Sequence, residues 1–306
     1  MAQVIDSAGR QSARQAVILR LASARAALFA GDAVDAATAR LVNTGLERLE
    51  FYLTRRPVIA IVGEVNSGKT SVANVLTGLP VLPQGVVANT AVPVWVRHGL
   101  VPAVREPEMA NGPGGIKMRL IEVALPAPRL SEFDILDMPA APDATLAAAP
   151  GADIVVWTTV ASRAWTAAER QTAERLPRRL AATSVIVATH ADQLSEAERE
   201  RVFQRLQRET HGRFTKVLLV DARDRGGISV GVTHEPAVGH AAFEATIDRL
   251  VAQVWRRKTE RVQRTSRRLA RLGLAALATA PDCHSKLENP DSDAFRLALA
   301  LLDLVE

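Results

Sequence analysis

The chain has 306 residues, 48% of them hydrophobic and 23% charged, enough for one large domain or two ordinary ones around a real core. Its one cysteine, Cys283, excludes an internal disulfide framework and suits a reducing compartment, and the start, MAQVIDSAGRQSARQ, lacks the basic-then-apolar layout of a secretion signal. No uncharged apolar run approaches the roughly 20 residues that span a bilayer, so the expected location is the cytoplasm or the face of a membrane.

Residues 8–53 carry helical spacing. Val17, Leu19, Leu21, Ala24 and Leu28 form one stripe, Gly31-Asp32 interrupts it, and Val34, Leu41, Val42, Leu46, Leu49 and Leu53 form another. They predict a helical hairpin within residues 1–55. From Pro57 short β-rich runs alternate with helical segments. The runs are PVIAIV (57–62), AVPVWV (91–96), FDILDM (133–138), DIVVWTTV (153–160), TSVIVAT (183–189) and KVLLVD (216–221), with helices fitting at 69–78, 166–180 and 194–210. Several runs are apolar throughout, as a parallel strand buried on both faces requires. The order predicts an α/β fold, a doubly wound, mostly parallel sheet, over residues 56–235. The stretch Asn111-Gly112-Pro113-Gly114-Gly115 reads as an exposed hairpin connection. Residues 236–306 read as helices: a long one over 240–272, a break at Pro281-Asp282, and AFRLALALLDLV. They are expected to pack with the N-terminal helices as a bundle.

Gly63 to Thr70, GEVNSGKT, matches G-x-x-x-x-G-K-[ST] and lies between a strand and a helix. Glycines at 63 and 68 let the backbone curl so that successive N–H groups, including those of Asn66, Ser67, Lys69, Thr70 and Ser71, point at phosphate oxygens. Lys69 supplies a fixed charge to the β- and γ-phosphates, the Thr70 hydroxyl is a Mg²⁺ ligand, and the helix N-terminus adds partial positive charge. The pattern predicts a bound nucleoside triphosphate.

Thr189-His190-Ala191-Asp192 follows the strand TSVIVAT, at the sheet edge where ligands bind. A carboxylate at 192 can accept from both the N1–H and the N2 amine of guanine, a pair adenine does not offer. Asp192 also stands where a helix N-cap would, ahead of LSEAERE. The next strand leads into Asp221-Ala222-Arg223, where the Ala222 N–H can reach the guanine carbonyl. Here the chain resembles the translation-factor-type GTPases, whose base motif is [NT]-K-x-D, with His190 in place of lysine. Asp137-Met138-Pro139-Ala140 resembles their D-x-x-G motif. That resemblance implies that Asp137 holds Mg²⁺ through water and that the amide at 140 touches the γ-phosphate, with alanine where the family has glycine.

Leu82-Pro83-Gln84-Gly85-Val86-Val87-Ala88-Asn89-Thr90-Ala91-Val92, with the phosphate loop GEVNSGKTSVANVLTG and the stretch WTTVASRAWTAAE, resembles the bacterial dynamin-like GTPases over about residues 50–225. The resemblance implies Thr90 as a second Mg²⁺ ligand closing over GTP, Asn66 as the residue that orients the attacking water, and Lys69 as the stabiliser of the transferring phosphoryl. It also implies homodimerisation across the nucleotide face and flanking helices that respond to the nucleotide, in a reduced form without a long stalk.

Between Arg249 and Arg271 there are nine basic residues and one acid, Glu260. Three readings stay open: an anionic membrane surface, RNA, or a solvated bundle face partly neutralised by acids such as Glu47 and Glu50. No aromatic-interleaved basic motif supports RNA. Three functions follow: a Mg²⁺-dependent GTPase, a GTP-sensing scaffold that barely hydrolyses because of Ala140 and His190, and a ribosome-associated GTPase.

Overall fold

The computed structural model describes residues 2–31, 33–79, 92–112, 115, 117–220, 240–280 and 283–305. In chain order its elements are α1 (Ala2–Leu28), α2 (Ala36–Thr54), β1 (Val58–Gly63), α3 (Lys69–Thr77), β2 (Val94–His98), β3 (Ala103–Asn111), β4 (Lys117–Leu125), β5 (Asp134–Asp137), α4 (Pro142–Ala148), β6 (Ile154–Val160), α5 (Ala167–Glu174), β7 (Ser184–Thr189), α6 (Glu196–Thr210), β8 (Lys216–Leu219), α7 (His240–Ala278), α8 (Cys283–Glu288) and α9 (Asp293–Leu302). They form two compact units, Arg56–Val254 and Met1–Arg55 with Trp255–Glu306. The division on the return falls inside α7.

The first unit is built on an eight-stranded mixed sheet of order β3-β4-β2-β5-β1-β6-β7-β8. β5, β1, β6, β7 and β8 run parallel. Every residue of β1, β5 and β7 is buried, which explains why these strands are legible as apolar runs. β2 pairs antiparallel with β5, β4 runs parallel to β2, and β3 closes the edge antiparallel to β4. The sequence predicts only six of these strands. β3, AVREPEMAN, is mostly exposed, and β4, KMRLIEVAL, buries only part of its length with charges at Lys117, Arg119 and Glu122, so no unbroken apolar run marks them. Of the glycine-proline stretch expected to be a hairpin connection, Asn111 ends β3, and Pro113 and Gly114 lie outside the described residues. Pro107 sits where the β3–β4 register shifts between Arg105 and Glu108, as a residue without an N–H requires.

The helix expected over 166–180 ends at Glu174. Pro177 stops it, and a 3₁₀ segment, Arg178–Thr183, leads to β7. Under the sheet Trp157, Trp165 and Phe214 meet edge to face, with ring centroids 5.6–6.2 Å apart. This trio ties β6 to the segment entering α5.

The helical unit has its own core, which includes Leu21, Leu28, Leu46, Leu53, Val262 and Leu297. Asp35 caps α2 by accepting from the Ala37 and Thr38 N–H groups. Arg25 of α1 bonds Asn43 at 3.0 Å and Glu50 at 2.6 Å, with Glu47 at 3.8 Å. Glu47 and Glu50 thus carry the ion pairs of Arg25 that join α1 to α2. Eight of the nine basic residues between 249 and 271 are exposed, while the ninth, Lys258, is buried at 1% exposure. Its Nζ donates to the Arg55 carbonyl and lies 4.9 Å from the Tyr52 ring and 4.7 Å from the Trp255 ring. No helix among the described residues is long and apolar enough to cross a membrane.

Candidate functional site

The C-terminal edge of the parallel strands gathers the motif residues. β1 ends at Gly63, whose φ is 147°, and a Cβ there would collide with the Thr158 carbonyl and hydroxyl. The chain then turns through Asn66 at φ 59° to Gly68, which begins α3 at φ 83°. A side chain at Gly68 would be strained by that φ and would press on the Thr189 methyl, 3.0 Å from an ideal Cβ. The two glycines of the motif are thus set by backbone conformation and by close approach to β6 and β7.

Side chains behind the loop fasten it. Ser67 is 1% exposed and turns inward, its hydroxyl 2.6 Å from that of Thr158. Thr158 donates onward to the Val62 carbonyl at 3.0 Å. Thr189 donates to the Ser67 carbonyl at 2.9 Å and to the Thr159 carbonyl at 3.2 Å. The Ser67 and Thr189 side chains therefore face the protein and shape the loop from behind. Asn66 and Ser71 are exposed and Thr70 half-buried at the first turn of α3.

Lys69 folds back over the loop. Its Nζ donates to the Gly63 carbonyl at 3.1 Å and the Glu64 carbonyl at 2.7 Å. Burial holds its pKa below that of a free lysine, and the neighbouring Asp137 carboxylate pulls the other way. Asp137, at the end of β5, is 4% exposed and its Oδ1 has no hydrogen-bond partner among the described residues. Burial raises its pKa to about 7 against the opposing charge of Lys69. An orphaned carboxylate oxygen close to a partly desolvated lysine is the chemistry that a hard divalent cation and a polyphosphate would satisfy.

His190 stands at the end of β7 with φ 57° and leads a 3₁₀ turn, Ala191–Gln193, that carries Asp192 half-buried. The N-cap of α6 is Ser195, whose backbone N–H and hydroxyl bond Glu198. Asp192 is therefore not that helix's cap. Ala140 lies half-buried ahead of α4, outside the positive-φ residues Asn66, Trp165 and His190. Thr90 and Ala222 lie outside the described residues.

Sequence reasoning missed a second layer. Glu169, 3% exposed, accepts from Trp157 Nε1 at 3.1 Å, the Thr159 hydroxyl at 3.2 Å and the Thr166 N–H at 2.8 Å. Thr166 caps α5 and reaches Glu64 of the phosphate loop. The signal was present as Thr166-Ala-Ala-Glu169, a capping box.

Residues 59–117, from β1 to the start of β4, match the model of the dynamin family. The fold resembles that of bacterial dynamins from an oligomerised pair described as a mechanism for long-range sensing and tethering of membranes. One such structure aligns with a TM-score of 0.53 at 17% identity, covering 85% of this chain and 56% of its own. Another aligns at 0.50 and 18% identity, covering 75% of this chain and 40% of its own. The chain thus spans about half the length of these proteins or less. No curated protein is significantly similar to it. At this identity the likeness is one of fold: a P-loop GTPase sheet with flanking helices.

Proposed function

We propose that this chain, with the fold of a P-loop GTPase and a segment matching the dynamin family, is a dynamin-like protein that binds GTP with Mg²⁺ and hydrolyses it. The observation that carries the reading is the state of Lys69. A desolvated ammonium resting on two carbonyls of a glycine-framed loop would exchange them for the more basic oxygens of a triphosphate.

In this mechanism the loop N–H groups and Lys69 hold the phosphates and offset the charge that develops on the transferring phosphoryl. Thr70, Asp137 and Thr90 would hold Mg²⁺, which when bound neutralises charge on the phosphate oxygens. Asn66, exposed on the loop, would orient the attacking water. Asp192, with the Ala222 amide, would select guanine. Ala140 would offer its N–H to the γ-phosphate without glycine's freedom to flip. That feature supports the second reading, a scaffold that senses GTP and barely turns it over.

No arginine of the loop is placed to complete the site, so we expect a second copy across the nucleotide face to raise the rate. The eight exposed basic residues of α7 support peripheral contact with an anionic membrane from the cytoplasmic side, each contributing about 1 kcal/mol near the surface. The test is GTP turnover per molecule at rising protein concentration. The GTPase reading expects the specific rate to climb with concentration, whereas a flat, near-zero rate beside tight GTP binding would favour the scaffold.

A further inference from the structure

An acidic residue stands inside the loop that is read as an anion cradle. Glu64 follows the first glycine, and its own carbonyl oxygen lies 2.7 Å from Lys69 Nζ. Its side chain therefore springs from the residue nearest the phosphate-binding cation. A carboxylate free to swing there would compete with phosphate for Lys69 and repel incoming negative charge.

The structure shows what restrains it. Thr166 donates its hydroxyl proton to Glu64 Oε1 at 3.0 Å, the one hydrogen bond of that carboxylate among the described residues. The same hydroxyl accepts the Glu169 N–H at 3.2 Å, so its proton is directed outward to Glu64. Glu169 is in turn fixed by Trp157, Thr159 and the Thr166 N–H, and Trp165, just before Thr166, is buried in the aromatic trio at φ 67°. The donor that holds Glu64 is thus anchored in the core of the unit.

We propose that Thr166 is a positioning residue: its hydroxyl, locked by the Glu169 capping box, holds the Glu64 carboxylate away from Lys69 and so keeps the loop receptive to a nucleotide's phosphates. The inference rests on the reading of the loop as a phosphate cradle. It adds a residue, Thr166, outside the nucleotide motifs and assigns Glu64 an inhibitory charge that must be tethered.

The test is a double-mutant cycle read by the affinity for a fluorescent GTP analogue with Mg²⁺, with the melting temperature of each variant recorded beside it. Thr166→Val should weaken binding about fivefold, Thr166→Ser should restore it, and in a Glu64→Ala background Thr166→Val should have no effect on affinity. Should Thr166→Val fold poorly through loss of its cap, Thr166→Asp keeps an N-cap acceptor while repelling Glu64, and should weaken binding at least as much. An equal loss in the presence and absence of Glu64, or no loss in either, overturns the tether. Lys69→Ala serves as the separate arm: if it leaves binding intact the phosphate-cradle reading itself fails, and if it abolishes binding while the cycle shows no coupling, only the tether fails.

Discussion

Lys69, half-buried, and Lys258, fully buried, stand one in each compact unit and both donate to backbone carbonyls, yet their surroundings differ in kind. Lys69 rests on Gly63 and Glu64 oxygens at the open edge of a sheet, beside a carboxylate with an orphaned oxygen. Lys258 is sealed at 1% exposure between Tyr52 and Trp255, its Nζ turned to the carbonyl that ends α2. The first arrangement is one a ligand could improve, because phosphate oxygens are stronger acceptors than amide carbonyls. The second is closed, and its aromatic faces give the ammonium what water no longer can. Partial satisfaction at the strand ends is what a phosphate-binding cation would show, and full enclosure is what a structural one would.

That contrast is broken or sharpened first at Lys69. Lys69→Ala should weaken GTP binding by about a hundredfold, the scale of losing charge-assisted bonds worth about 1.5–3 kcal/mol. Its melting temperature without nucleotide should change little, because relief of the ammonium's partial desolvation offsets the loss of two carbonyl bonds and of its pull on Asp137. Binding by titration calorimetry and a thermal melt check both halves. Lys258→Ala should do the reverse, costing about 2–4 kcal/mol by combining a cavity with an unpaired carbonyl. The expected readout is a melting temperature lower by several degrees with the nucleotide affinity of the folded fraction unchanged.

Asp137 gives a smaller, pH-dependent effect. Its pKa is about 7 in the folded, metal-free chain against 3.8 as a free carboxyl, so the unfolded chain binds fewer protons between those values. Stability contributed at this site therefore falls as pH rises from about 4 to 7 and is flat above. Asp137→Asn should melt with wild type at pH 4 and higher than it at pH 8 without Mg²⁺, by a margin on the order of a few kcal/mol at most. Melting curves across that range test the sign.

Much of this was legible because the relevant constraints are local. Gly63, Gly68 and Lys69 announce themselves by spacing, and β1, β5 and β7 by unbroken apolar runs that burial on two faces demands. The edge hairpin β3–β4 was not legible, since half-exposed strands have no such run. Lys258 counts with the other cations of the basic run in sequence, yet it sits four residues from Val254 and from Val262, both buried, and shares their face of α7. The Arg25–Glu50 pair joins helices α1 and α2 across 25 positions, a distance that sequence spacing does not give. The tether from Glu169 through Thr166 to Glu64 joins residues 102 and more positions apart in sequence and could only be seen folded.

The most direct measurement is equilibrium retention of labelled GTP and ATP by the purified chain in Mg²⁺. We predict saturable, one-to-one retention of GTP with ATP at least tenfold weaker. Retention of neither nucleotide, or a preference for ATP, would contradict the account.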